Sequence, residues 1–397
     1  MKFFGNKKVP AGPTIWRRDF VLLLIVNGVA YFSFQILMPL LPVYGVGFAS
    51  DEAQLGALAA SISVAALLIR PFSGILADRY NRKIIVLVTQ FGTAAVIICF
   101  ILAFSIQGLI AARFVHGLLF GIGSTAVTVS AIHTIPEEKL GQGIGMLSIT
   151  GIGSQAVAPA LGIAISGSFG FDSLFVFTAV VAALAVFPAL AARKGQETAA
   201  GGSRVSLKSI FAPEGLTVAG ITLVFTMATS TVTNFLVLFG DGRDIANVGL
   251  YFTIYASVLI ATRLLGSKLT DKYPFQNIVG ISAALCTAGL ALIASADSFV
   301  SLAIAAVIIG MGYGAAMPAL QTEIVRRLPQ ERRGAASAMF YLAMDTAYVV
   351  GPLGMGFIAK AASFGAGFYA LCIPMAAAVP LVFVIARSPR TRRDNSI

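Results

Sequence analysis

Long apolar runs, each of roughly twenty residues or more, alternate along the chain with short clusters that hold most of its charge. Residues 20–44, 53–77, 84–104, 108–130, 140–166, 173–192, 214–238, 247–268, 276–295, 299–322, 334–360 and 365–387 form such runs. At about 1.5 Å per helical residue, each is long enough to cross a hydrocarbon layer of ~30 Å. Backbone amides in lipid must bond within their own segment, and the runs lack the period-two alternation of barrel strands. Helices are therefore predicted for all twelve.

The pattern repeats. A shift of 193 residues carries Arg70, Asp78 and Tyr80 onto Arg263, Asp271 and Tyr273, and Gly117 and Gly121 onto Gly310 and Gly314. It also carries Pro136, Glu138 and Gly141 onto Pro329, Glu331 and Gly334, and Pro159 onto Pro352. Chance similarity in an oily chain would align Leu with Leu, whereas this register preserves residues that fix backbone or charge. A duplicated bundle is predicted: six helices in 1–192, a polar, Gly-containing cytoplasmic linker at 193–212, and six helices in 213–397.

Composition agrees with a bilayer as solvent. Hydrophobic residues make up 57% of the chain and charged ones 11%, with a mean hydropathy of +0.88. Too little polar surface remains for a water-soluble globule of 397 residues. Most of the 28 basic residues fall on one side of the predicted spans, in the N-terminal segment, the 78–83 loop, the central connector and the tail. The opposite loops carry Asp51, Glu52, Asp172, Asp241, Asp244 and Asp297, with Arg243 and Lys360 as their basic residues. The asymmetry predicts cytoplasmic termini in a bacterial inner membrane. It also accounts for the formal charge of +11 through topology and anionic lipid, so no nucleic-acid partner is predicted. The first apolar run is too long for a signal-peptide core. Cys99, Cys286 and Cys372 are far apart in apolar runs and read as packing residues, with no metal spacing.

Residues 70–83 read Arg-Pro-Phe-Ser-Gly-Ile-Leu-Ala-Asp-Arg-Tyr-Asn-Arg-Lys, which puts Gly74, Asp78, Arg79, Arg82 and Lys83 at a helix end and a tight turn. Glycine permits close helix approach, and an aspartate there can pair with loop arginines or face a helix N-terminus. The stretch resembles the signature loop between the second and third helices of the major facilitator superfamily, with a degenerate copy at 267–273. Arg113 with Gly117, Gly121 and Gly123 is similar to that family's fourth-helix motif. Gly145, Gly151, Gly153, Ala158, Pro159 and Gly162 are similar to the fifth-helix motif of its proton-coupled drug antiporters. The resemblance implies an all-α membrane protein of twelve helices in two pseudo-symmetric six-helix bundles. It implies gating by Gly74, Asp78, Arg79, Arg82 and Asp271, with Arg70, Arg263, Pro159 and Pro352, and a coupling role for Arg113.

A charge left in the hydrocarbon interior costs at least ~2.5 kcal/mol on insertion scales, which singles out Arg70, Arg113, Arg263 and Asp345. Arg113 cannot carry a proton, but it can hold a carboxylate in its charged form or bind an anionic group. Asp345 lies midway along an otherwise uncharged run and is the predicted proton carrier, with Glu323 as a second candidate or a plain ion pair with the arginines below it. Arg70 and Arg263 either snorkel towards water or take part in gating. His116, three residues from Arg113, is read as a packing residue or a pH sensor.

In the resembled family, spans one, four, seven and ten line the cavity. Here they offer Asn27, Tyr31, Gln35, Phe225, Thr229, Asn234, Tyr313, Met317 and Gln321. That mixture suits an amphipathic solute better than a sugar phosphate. The expected function is proton-coupled efflux of small amphipathic organic molecules by alternating access. The alternative within transport is export of one metabolite, such as a sugar, amino-acid derivative or metallophore, or of a lipid-like amphiphile. A membrane-embedded enzyme is disfavoured, because the chain has no Gly-Lys-Ser phosphate loop and no paired-histidine metal motif. The expected partners are a small-molecule substrate, protons and membrane lipids, with the chain acting as a monomer and using no cofactor.

Overall fold

A computed structural model describes residues 15–136, 139–192, 213–328 and 333–387. The 193–212 linker predicted from the sequence lies outside the described residues. Everything regular among those residues is helical. The first half contains α1 (Arg18–Leu37), α2 (Leu40–Gly45), α3 (Glu52–Arg79), α4 (Arg82–Cys99), α5 (Ile106–Ile132), α6 (Leu140–Leu184) and α7 (Val186–Ala191). The second contains α8 (Pro213–Asp241), α9 (Gly249–Lys272), α10 (Phe275–Ala294), α11 (Phe299–Arg327), α12 (Arg333–Ala361) and α13 (Phe364–Arg387).

Ten helical segments among the described residues are long and apolar enough to span a bilayer. One of them, Gln142–Ala191, is too long for a single crossing. Its helical backbone breaks at Gly170, whose φ of 81° suits glycine best, and each stretch on either side is long enough for one pass. With that break and with α9, which lies outside the ten, the architecture is consistent with twelve passes. The predicted first span is also divided. Pro39 has no amide to donate, so α1 stops at Leu37 and the short α2 resumes at Leu40.

Apolar packing alone gives little preference for one helix partner over another in lipid, so close approach of small residues sets the contacts. A Cβ on Gly117 of α5 would collide with the carbonyl of Ile62 and the Cβ of Ala65 on α3. A Cβ on Gly310 of α11 would meet Tyr255 and Val258 on α9. Gly121 abuts Ala66 and Ile69, while Gly314 abuts Leu259 and Thr262. All four contacts of the first half reappear in the second after the same shift of 193 residues. The register read from the sequence is thus a register of packing.

Two helix pairs make most of the contact between the halves, α3 with α12 and α6 with α9, and the short α2 also touches α8. In the first, Gly56 and Gly356 meet backbone to backbone: a Cβ on Gly56 would lie 2.7 Å from the Pro352 carbonyl oxygen and 2.9 Å from Gly356 Cα. In the second, Gly249, which is Gly56 shifted by 193, rests on Ala160 and Ile163. Nearby, the Thr253 hydroxyl donates to the Ala156 carbonyl at 2.8 Å. These contacts all lie towards the end that carries the acidic loops. There an exposed ion pair, Lys360 Nζ to Asp51 Oδ2 at 2.8 Å, also crosses between the halves. A continuous core links Leu55 and Ala59 of α3 to the second half at this end.

Candidate functional site

Deeper between the halves, α3 and α12 meet again through charge. Arg70 lies fourteen residues beyond Gly56, about 21 Å along the helix at about 1.5 Å per residue. Its Nε is 2.9 Å from Asp345 Oδ2 on α12. The Arg70 side chain is 43% exposed and that of Asp345 17%, so the pair is reachable although the acidic end is packed shut. Neither sequence reading of Arg70 foresaw this partner, because the two residues are remote in the chain. Tyr31 of α1, with Tyr341 and Tyr348 of α12, lies within electrostatic range of the pair. The tyrosines of α12 were not singled out from the sequence. Their spacing from Asp345, four residues before and three after, placed them on its helix face and was the available signal.

Arg113 takes a different position. It is fully buried in α5, and among the described residues no carboxylate is paired with it. Its Nη1 is 3.2 Å from His116 Nδ1, its Nη2 is 3.4 Å from Met38 Sδ, and its Nε has no partner. Phe34, stacked on Phe120, places its ring 6.0 Å from the guanidinium carbon. His116 is likewise buried and acts as a hydrogen-bond partner of that guanidinium. Glu323 is buried and bonded to Arg327 one turn on, Nε to Oε1 at 2.9 Å, which is the ion pair weighed from the sequence.

Arg263, the repeat partner of Arg70, is paired with no acid among the described residues. Its Nε is buried without a hydrogen-bond partner, and it lies within electrostatic range of Tyr255 and Tyr313.

Among the residues predicted to meet substrate, Tyr31, Gln35 and Gln321 are half-buried. Asn27 is fully enclosed: its side-chain amide donates to Thr150 Oγ1 at 2.7 Å and to the Leu147 carbonyl at 3.2 Å, tying α1 to α6. Asn234 donates to the Ser230 carbonyl at 2.8 Å and leaves its own Oδ1 unpartnered. Phe225 and Met317 belong to the core of the second half. Thr229 bonds back to its own helix, facing Tyr313 beside Thr226. The list therefore divides between the central axis and intrahelical or interhelical packing.

Of the predicted gating residues, Arg82 donates from Nε to the Ala77 carbonyl at 2.8 Å and closes the end of α3. Lys83 Nζ reaches across to the carbonyl of Ala192 at 2.8 Å. Arg79 is exposed. Gly74 has open space where a Cβ would stand, so the close approach expected of it is not made here and falls instead at Gly56, Gly117 and Gly121. Pro159 and Pro352 lie inside α6 and α12, beside the contacts with Gly249 and Gly56. The side chains of Asp78 and Asp271 lie outside the described residues.

Paired helical halves meeting around a polar, charge-bearing axis define a membrane transport fold. The family model of the Major Facilitator Superfamily matches residues 23–346 and 244–397, and the chain belongs to that superfamily. Its curated relatives include the multidrug resistance protein MdtG of Enterobacter lignolyticus, 29% identical over 389 residues and covering 92% of this chain and 91% of that protein. MdtG of Escherichia coli is 26% identical over 384 residues, covering 92% and 93%. Similar solved folds include a POT family transporter in complex with 5-aminolevulinic acid (TM-score 0.78, 14% identity, 93% and 96% covered). Another is a bacterial homolog of the human lysosomal transporter Spinster (TM-score 0.74, 16% identity, 92% and 94% covered).

Proposed function

We propose that this protein exports small amphipathic organic molecules, of the kind a multidrug exporter handles, in exchange for protons. The basic end faces the cytoplasm of a bacterial inner membrane with both termini, and the two halves rock about the central axis. The observation that carries the coupling is the Arg70–Asp345 pair, a carboxylate in one half held by a guanidinium in the other.

As the carboxylate, Asp345 binds Arg70 and fastens α12 to α3. As the neutral acid it loses the charge that held the guanidinium, and the halves are free to part at this depth. In this cycle the pair exchanges protons with water from the basic end while the acidic end is packed shut. A proton taken up while the acidic end is open would be released here to the cytoplasm. Arg70 then reclaims the carboxylate. The MdtG relatives support efflux as the direction.

The test is transport of a panel of amphipathic dyes by the purified protein in proteoliposomes under imposed pH gradients. Asp345→Asn is expected to lose at least about tenfold of gradient-driven accumulation while retaining exchange down a concentration gradient. Undiminished gradient dependence in Asp345→Asn would remove Asp345 from the coupling step.

A further inference from the structure

The packing register of the two halves makes one charge conspicuous. Because α9 lies on α6 as α3 lies on α12, the residue set opposite Arg263 is the repeat partner of Asp345. Subtracting 193 from 345 gives residue 152, and residue 152 is isoleucine. Ile152 packs against the core of the second half, as that register requires. In that register one seam carries a guanidinium with its carboxylate, and the other has isoleucine at the position the acid takes in the first. Arg263 is half-buried, its Nε has no hydrogen-bond partner, and among the described residues no acid is paired with it.

The charge is uncompensated on a larger scale too. Among the described residues, Arg70, Arg113 and Arg263 stand within the spans, the acid paired with any of them is Asp345, and Asp345 is committed to Arg70. Such a surplus is costly in a low-dielectric interior unless a ligand supplies the missing negative charge. Tyr255 and Tyr313 lie within electrostatic range of Arg263, and the hydroxyls of Thr226 and Thr229 lie beside the Tyr313 phenol. A planar guanidinium matches a carboxylate, sulfonate or phosphate, with two parallel N–H donors for two oxygens.

We infer that Arg263 is a substrate-binding residue that receives the anionic group of an amphipathic acid. The inference rests on the transport reading and narrows it: the preferred cargo is an anionic or zwitterionic amphiphile, and a lipophilic cation is disfavoured by the same surplus. Arg263 is then the binding counterpart of Arg70. One seam keeps its own carboxylate for the proton, and the other leaves its arginine for the cargo.

The experiment measures equilibrium binding to the detergent-purified full-length protein, with no gradient imposed, using three probes that share one apolar body. These are pyrenebutyrate, its methyl ester, and the corresponding pyrenebutyl trimethylammonium cation, followed by fluorescence anisotropy. The parent is expected to bind the acid at least about tenfold more tightly than the ester, the scale of one charge-assisted bidentate contact, and the cation more weakly still. Arg263→Gln should erase the advantage of the acid and leave ester binding unchanged, while Arg263→Lys, which keeps the charge and loses the two-pronged donor, should keep only part of it. Equal binding of all three probes by the parent overturns the inference, as does an acid advantage that survives in Arg263→Gln. If Arg263→Gln does not fold, the parent comparison and Arg263→Lys decide. Competition by dioleoyl phosphatidylglycerol at the same site would assign it to a lipid headgroup and overturn the assignment to cargo. Because no proton gradient enters, failure here leaves the coupling result intact, and loss of coupling in Asp345→Asn leaves this result intact.

Discussion

At the scale of single residues, the chain separates charges that titrate in use from charges that fix geometry. Asp51 belongs to the second kind. It caps α3 by accepting from the Gln54 backbone amide at 3.0 Å and accepts from Lys360 across the seam at 2.8 Å. The Lys360 hydrogen bond foremost, and then the Gln54 amide, hold its carboxyl below the usual carboxylate range. A carboxyl lowered on folding contributes in full above its unfolded value of about 3.9, and that contribution is lost as pH falls through the lower folded value. The pair should therefore stay charged at every pH the acidic end meets in a living cell. Spin labels at Ser50 and Ala362, in a variant with Cys99, Cys286 and Cys372 replaced by alanine, should report one separation from pH 8 to 5. A widening that begins near pH 6 would mean that another group governs this seam.

At the scale of helices, glycine placement decides which surfaces touch. The α3–α12 seam is made of glycine on both sides, Gly56 against Gly356, and the α6–α9 seam of glycine on one side, Gly249 against Ala160 and Ile163. A side chain at position 56 would strike backbone 2.7 and 2.9 Å away, which cannot yield, whereas one at 249 would first meet the flexible Ile163 terminus at 3.0 Å. Gly56→Val should hold the acidic end open, and Gly249→Val should do so more weakly. Cysteine accessibility at Ser50 to a membrane-impermeant maleimide checks both, with labelling of Gly56→Val at least about fivefold faster than the parent, as expected when overpacking costs ~1–3 kcal/mol. Equal labelling of the two variants would show that the seams close independently of these contacts.

At the scale of the whole molecule, most of the architecture was legible and much of the site was not. Helix positions follow from the lengths of the apolar runs, and the repeat follows from glycines and prolines that the packing also uses. Gly117 and Gly310 read the same in the sequence and in three dimensions. Asp345 and Arg70 were each visible as a cost in hydrocarbon, but nothing local to either states that they are partners, since pairing across halves is a property of the seam. Asn27 shows the opposite failure: a polar residue on a predicted cavity helix proves to be a tie between α1 and α6. Polarity in a membrane helix signals a hydrogen bond, and only the fold tells whether its partner is a neighbour or a guest.

The bare meeting of Gly56 with Gly356 has a consequence for how this mouth shuts. Its closure is peptide against peptide, held by dispersion at contact distance, and the one charged bridge beside it is solvent-exposed and worth little. Ionic strength should therefore leave the open-to-shut balance at this end almost untouched between 50 and 500 mM sodium chloride, conditions that cut the Debye length by about threefold. Salt-dependent populations would mean that the bolt is electrical after all and lies closer to Arg70 than to the glycines.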